Sequence, residues 1–159
     1  MEAIEVSADF KVSPKQLYEA WLDGKQHSAF TGGAASVEAR VGGEHTAWNG
    51  YIWGKNVVLE PHRRIVQTWR TTEFPEDSQD SQLEILLEPT AGGTRLRLVH
   101  TRIPDGQGDM YRDGWDEHYF RPMRSYFKVA QPARKKVAKK TRKQVTKRVK
   151  KTVTKKVKR

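Results

Sequence analysis

Between Ala35 and Arg102 no apolar run survives long enough to make a helix. "VGGE", "WNGY", "EPHRR", "FPEDSQDS" and "TAGG" cut the chain into segments near 35–41, 44–48, 51–60, 64–73, 81–89 and 94–102, each of strand length. Asn49-Gly50 is the strongest of the turn signals, because a type I′ hairpin needs positive φ at both central positions and Asn-Gly tolerates it. Consecutive hairpins build an antiparallel sheet, and one face of such a sheet must be covered. In the last segment Leu96, Leu98 and His100 share one face, while Arg95, Arg97 and Val99 share the other.

The flanking segments supply the cover. Ile4, Val6, Ala8, Phe10 and Val12 alternate with Glu5, Ser7, Asp9 and Lys11, the pattern of a half-buried first strand. In "VSPKQLYEAWLDG", Ser13 fits an N-cap, Pro14 fits N1 and Gln16 completes a capping box, with Val12 and Leu17 placed as a hydrophobic staple. Leu17, Ala20 and Trp21 fall on one face of this helix, Gly24 offers its stop, and a second short helix follows in "KQHSAFTGG". After the meander, from about Asp109 to Lys128, Tyr111, Trp115, Tyr119, Phe120, Met123, Tyr126 and Phe127 recur at spacings of three and four. This predicts one long helix with an aromatic stripe, kinked at Pro122, which cannot donate to the carbonyl of His118. A curved sheet of six to seven strands gripping that helix buries the stripe and the inward strand residues together. The predicted class is α+β, a helix-grip fold with two short helices after the first strand.

The last part of the chain cannot join this core. From Pro132 onward there are 15 basic residues and no acidic one, which leaves 15 basic against 19 acidic residues in 1–131. The body therefore stands at −4 and the tail at +15, and the overall pI near 9.9 describes neither. This divides the chain into a domain at 1–131, of a size to hold one core, and a Lys-rich low-complexity segment at 132–159. From Val137 the segment reads VAKK, TRKQ, VTKR, VKKT, VTKK and VKR. On an α-helix a period of four rotates its valines by about 40° per repeat, so no seam forms, and the unneutralised charge predicts disorder in water. It is similar to the Lys-rich tails of linker histones. Lys135, Lys136, Lys139, Lys140, Arg142, Lys143, Lys147, Arg148, Lys150, Lys151, Lys155, Lys156, Lys158 and Arg159 are the expected phosphate contacts, and binding is expected to be non-specific because no aromatic residue follows Phe127.

Further expectations follow from what the sequence lacks. There is no cysteine, hence no disulfide framework and no thiolate chemistry. "MEAIEVSADF" carries acids where a secretory signal needs a basic region, and apolar runs stay far below the ~20 residues of a membrane span. A cytoplasmic monomer is expected, with association to a nucleoid or nucleus through the tail.

The series "SPKQLYEAW", "AFTGG", "VGGEHTAWNGYIWGKNVVLEP", "RRIVQTWR", "GGTRLRLVHTRIP" and "GWDEHYFRPMRSYF", in that order, resembles the Hsp-90 ATPase activator (Aha-type) domain of the START-like, birch-pollen-allergen-like (SRPBCC) superfamily. The resemblance runs from about Val12 to Phe127 and implies the same helix-grip fold. It implies a binding module whose partner is a chaperone, another protein or a hydrophobic small molecule. Eukaryotic members of this type are two-domain activators, and this chain is expected to hold only the one domain. Other branches of the superfamily imply the alternative, a hydrophobic small-molecule carrier or a cavity enzyme of the polyketide cyclase type.

The residues themselves point away from catalysis. His27, His45, His62, His100 and His118 form no HxH or HExxH motif, and adjacent Asp116, Glu117 and His118 diverge by 100° steps on a helix, so no metal is expected. Neither a P-loop nor a dinucleotide-binding glycine pattern is present, so no cofactor is expected and no enzyme. If a cavity opens under the helix, Trp69, His100, Trp115 and Tyr119 are its candidate lining, with Trp53 and Arg70 beside Trp69 on the strands. His100 shares its strand face with Leu96 and Leu98, which also suits a histidine hydrogen-bonded within the core.

Overall fold

A computed structural model of the chain describes residues 1–130, with side chains through Lys128; residues 131–159, including the basic segment, lie outside the described residues. The chain divides into two units, Met1–Ser125 and the part from Tyr126 onward. Of the second unit only the end of one helix is described, where the Tyr126 and Phe127 rings meet edge to face at 5.0 Å.

Seven strands, β1 (Glu2–Phe10), β2 (Ser36–Val37), β3 (Glu44–Ala47), β4 (Ile52–Glu60), β5 (Arg64–Thr71), β6 (Ser81–Thr90) and β7 (Gly93–Ile103), form one antiparallel sheet in the order β1-β7-β6-β5-β4-β3-β2. Register irregularities between Glu2 and Ile4 and between Asn56 and Val58 bend it. Helices α1 (Pro14–Trp21) and α2 (Gly24–Thr31) follow the first strand, and α3 (Gly108–Trp115), a π-helical segment (Asp116–Phe120) and α4 (Arg121–Ala130) follow the last. Ile65 of β5, Leu83 and Ile85 of β6, and Leu96 and Leu98 of β7 are sealed from solvent on the concave face, together with Trp115, Phe120 and Met123 of the C-terminal helices. Truncating one of these leucines to alanine would cost about 2–5 kcal/mol. The opposite face carries exposed ion pairs such as Asp9 with Arg95 and Glu5 with Arg97, which contribute little to stability. This is the helix-grip arrangement.

Four local expectations are corrected by the coordinates. The strand expected at 35–41 is only Ser36–Val37, because the chain beyond it bends through Gly42, at φ +83°, and the Asn56 side-chain amide donates to the carbonyls of Glu38 and Arg40 in place of a partner strand. The first helix ends at Trp21 rather than Gly24, which instead opens α2 behind Asp23, whose carboxylate accepts from the Lys25 amide at 2.9 Å. The Asn49-Gly50 turn is longer than a two-residue hairpin. Pairing stops at Ala47 and Ile52, with positive φ at Trp48, Asn49 and Gly50, and Asn49 is clamped to Ala34 by its side chain and its backbone amide. The helix expected to kink at Pro122 opens one turn earlier. Pro122 cannot donate, and Arg121 N–H reaches back five residues to the carbonyl of Asp116, giving the wider turn 116–120.

Candidate aromatic cavity

A cavity of about 560 Å³ opens between β5, the turn before β4 and the helical stretch 110–119. Its floor is Trp69, Tyr111, Trp115 and Tyr119, all buried. Half-buried Trp48 and Tyr51 and buried Ile52 form the wall, while exposed Met110, Asp113, Glu117 and His118 stand at the mouth, with Gly114 between them. The floor rings are in mutual contact: Trp69 lies 5.0 Å from Tyr111 and 5.5 Å from Trp115, and Trp115 lies 4.8 Å from Tyr119. The π-helical segment has a direct effect here, since its wide turn sends Tyr119 into the floor while leaving Glu117 and His118 exposed.

The polar ends of these rings are used by the protein. Tyr111 donates to Gln107 Oε1 at 2.8 Å and accepts from the Thr71 hydroxyl at 2.7 Å. The Tyr119 hydroxyl donates to Nε2 of His27 at 2.8 Å, while Nδ1–H of His27 donates to the Trp21 carbonyl at 2.9 Å. Tyr51 donates to Glu73 at 3.0 Å. Burial pushes the pKa of Tyr51, Tyr111 and Tyr119 upward, so the phenols stay protonated. What these tyrosines offer the cavity is ring surface. Trp48 differs, because its indole N–H is buried with no acceptor among the described residues.

Trp69, Trp115 and Tyr119 thus line the cavity, and His100 does not. His100 stands behind them, 0% exposed, with its ring 4.6 Å from that of Trp69. The Trp115 indole donates to its Nδ1 at 3.2 Å, and its Nε2 meets the Ser81 hydroxyl at 2.9 Å. The Ser81 proton goes to the Trp69 carbonyl at 2.7 Å, which fixes Nε2–H as the donor to Ser81 and Nδ1 as the acceptor. Burial lowers the His100 pKa to about 3, and protonation would also set Nδ1–H against the indole N–H. Serine and histidine are adjacent, yet the serine proton points away from the imidazole, no carboxylate orients the ring, and both residues are sealed. This pair is not arranged for nucleophilic attack.

Strand alternation carries Trp53 and Arg70 to the other side of the sheet. Trp53 is 39% exposed, with the Arg70 guanidinium 5.9 Å from its ring centroid. Arg70 also donates to the Ser78 and Pro75 carbonyls and pairs with Asp80, fastening the acidic turn. Among the described residues no three His, Cys, Asp or Glu side chains are placed to hold a metal ion. The lining residues that the sequence did not single out are Trp48, Tyr51, Ile52, Met110, Tyr111, Asp113, Gly114, Glu117 and His118. The available signal was the i, i+4 spacing of Asp113 and Glu117, two carboxylates flanking an aromatic stripe.

The family model described as Activator of Hsp90 ATPase homolog 1-like protein matches residues 11–128. The chain belongs to this family. Every residue lining the cavity falls inside the matched segment. Among curated relatives, the human Activator of 90 kDa heat shock protein ATPase homolog 1 is 28% identical over 124 residues, which is 78% of this chain and 36% of the human protein. The chain thus spans about a third of the length of the curated activators it matches. Among solved structures, an HSP90 activator from Plasmodium falciparum superposes with a TM-score of 0.69 at 22% identity, covering 76% of this chain and 92% of that one. The Aha1 dimer from Colwellia psychrerythraea gives 0.60 at 20% identity, covering 73% and 87%. At those identities the two structures establish the fold. Among the described residues no helix is long and apolar enough to cross a membrane.

Proposed function

We propose that this family member is a non-catalytic binding module that takes an apolar small molecule into the aromatic cavity. One observation carries the reading: an open space of about 560 Å³ is lined by rings whose hydroxyl groups are already bonded elsewhere. That size suits a small ligand, and a lining with few free polar groups favours an apolar body. Native mass spectrometry of the purified full chain tests it. A bound molecule released on denaturation supports the reading, and a chain that neither retains nor takes up any apolar compound refutes it.

A second reading is favoured by family membership. Curated relatives including the human one are named as activators of a 90 kDa heat shock protein ATPase, so a chaperone of that type is the protein partner to try. Stimulation of that ATPase by the purified chain is the readout, and absence of both binding and stimulation removes the idea. The Lys-rich segment 132–159 supports non-specific nucleic-acid binding by its charge alone. With about 8 to 10 phosphate contacts, log K should fall against log salt with a slope of about −7 to −9. Equal retention on DNA after deletion of 132–159 would refute this.

A further inference from the structure

We propose that the ligand of the aromatic cavity is an organic cation, an apolar or aromatic body carrying an amine or quaternary ammonium group that sits at the mouth. The inference rests on the reading of the cavity as a ligand site and names its chemical class. Among the described residues neither Lys nor Arg lines the space, whereas two carboxylates, Asp113 and Glu117, do.

Neither carboxylate has an ion-pair partner among the described residues. Among the same residues several other carboxylates are matched to arginines, Glu5 to Arg97, Asp9 to Arg95 and Asp80 to Arg70, while Glu44, Glu76 and Asp77, which do not line the cavity, are not. On the same helical stretch Asp109 takes Arg112 and Asp116 takes Arg121. Arg121 is four residues beyond Glu117, the favourable orientation for a helical ion pair, yet it is engaged by Asp116 instead. Asp113 and Glu117, four residues apart, make no ion pair among the described residues. Two like charges at that spacing repel one another, and a cation between them would remove the repulsion.

The floor beneath them suits the same charge. Trp69, Tyr111, Trp115 and Tyr119 present ring surface, and the faces of such rings attract cations, most strongly where water is excluded. Among the described residues an anion would meet two carboxylates and no Lys or Arg, with His118 the basic group at the mouth. A neutral apolar molecule would fit the floor but leave the mouth unused.

Benzyltrimethylammonium and its neutral isostere neopentylbenzene are the probes, titrated into the full chain while tryptophan fluorescence is followed, since Trp48, Trp69 and Trp115 all line the space. The cation should bind about tenfold more tightly than the isostere. Asp113→Asn with Glu117→Gln, both at exposed positions, should weaken the cation about three- to tenfold and leave the isostere unchanged. Equal or tighter binding of neopentylbenzene, or an unchanged cation affinity in the double variant, overturns the choice of ligand while leaving an apolar site standing. Failure of both probes to bind overturns the cavity reading as well.

Discussion

Acid should weaken this protein well before its carboxylates titrate, and His100 is one of the causes. In the fold its pKa is lowered to about 3 by burial, from an ordinary value of 6.5, and that of His27 is lowered to about 4 by the same cause. Both are neutral in the folded state, so the stability they contribute is fully present above pH 6.5 and is lost as pH falls below that value, when the unfolded chain gains protons the folded chain does not. Integrated from pH 7.5 to pH 5, each histidine removes about 2 kcal/mol, together about 4 kcal/mol, a large part of the usual 5–15 kcal/mol. Buried His45, also lowered chiefly by burial, acts in the same direction. The lowered carboxylates of Glu2, Asp9 and Asp23 lose their contribution only as pH falls through their ordinary values of 3.8 to 4.5 and on through the lowered ones, beneath the range compared, so this window isolates the histidines. The assay is urea unfolding of the full chain at both pH values, for wild type, His100→Asn and His27→Gln. Asparagine keeps an acceptor for the Trp115 indole, and glutamine keeps one for the Tyr119 hydroxyl. Each variant is expected to be less stable at pH 7.5 but to lose about 2 kcal/mol less than wild type on going to pH 5. A variant whose loss equals that of wild type would show that its histidine is not held neutral by the fold, and for His100 the hydrogen-bond polarity assigned through Ser81 and Trp69 would fall with it.

Two further substitutions probe how the cavity's supports are held. Gly54 lies opposite His45 in the β3–β4 pairing, and a Cβ there would stand 1.9 Å from the Thr68 carbonyl oxygen and 2.7 Å from Nε2 of His45, which donates to that same oxygen. Gly54→Ala should therefore cost about 1–3 kcal/mol, read as a lowered urea midpoint, and a variant as stable as wild type would mean that β4 and β5 separate without strain. Ser13→Ala removes the oxygen that accepts from the Gln16 amide at 3.2 Å and should cost about 1 kcal/mol, measured in the same way; no change would mean that the Val12–Leu17 staple and Pro14 start the helix unaided.

The fold was legible because its determinants are short-range and periodic. Alternation in β1, the Ser13 capping box and the approximate bounds of the strands from Glu44 onward survive in the structure, since each depends on neighbours within four residues. The departures arise where a distant side chain replaces a local partner. Asn56 satisfies the carbonyls of residues 38 and 40, and Ala34 fixes the turn at Asn49, contacts that no window of sequence contains. The same applies to the site. Trp69, Trp115 and Tyr119 could be named from strand parity and helical period, but Trp48 enters the wall only because its turn adopts positive φ, and His100 is set behind the floor by a bond to a serine nineteen residues away.

The rings that make the cavity are also much of the core, and this separates the residues that can report on binding from those that cannot. Trp69, Trp115 and Tyr119 are each at most 4% exposed and are bonded or stacked onto His100, His27 and one another. Truncating any of them creates a void, and loss of Trp115 or Tyr119 also leaves buried His100 or His27 without its partner, at about 3–5 kcal/mol, so lost binding in such a variant is indistinguishable from lost folding. Met110, Asp113 and Glu117 are exposed and contribute little to the folded state. If the proposed ligand binds, the floor sets its shape and apolarity under the constraint of holding the helix to the sheet, while its charge is read at exposed positions. Relatives with the same fold can on this basis differ in ligand through the mouth residues alone, and exchange of Asp113 and Glu117 for lysine should reverse charge preference without a loss of stability beyond about 1 kcal/mol.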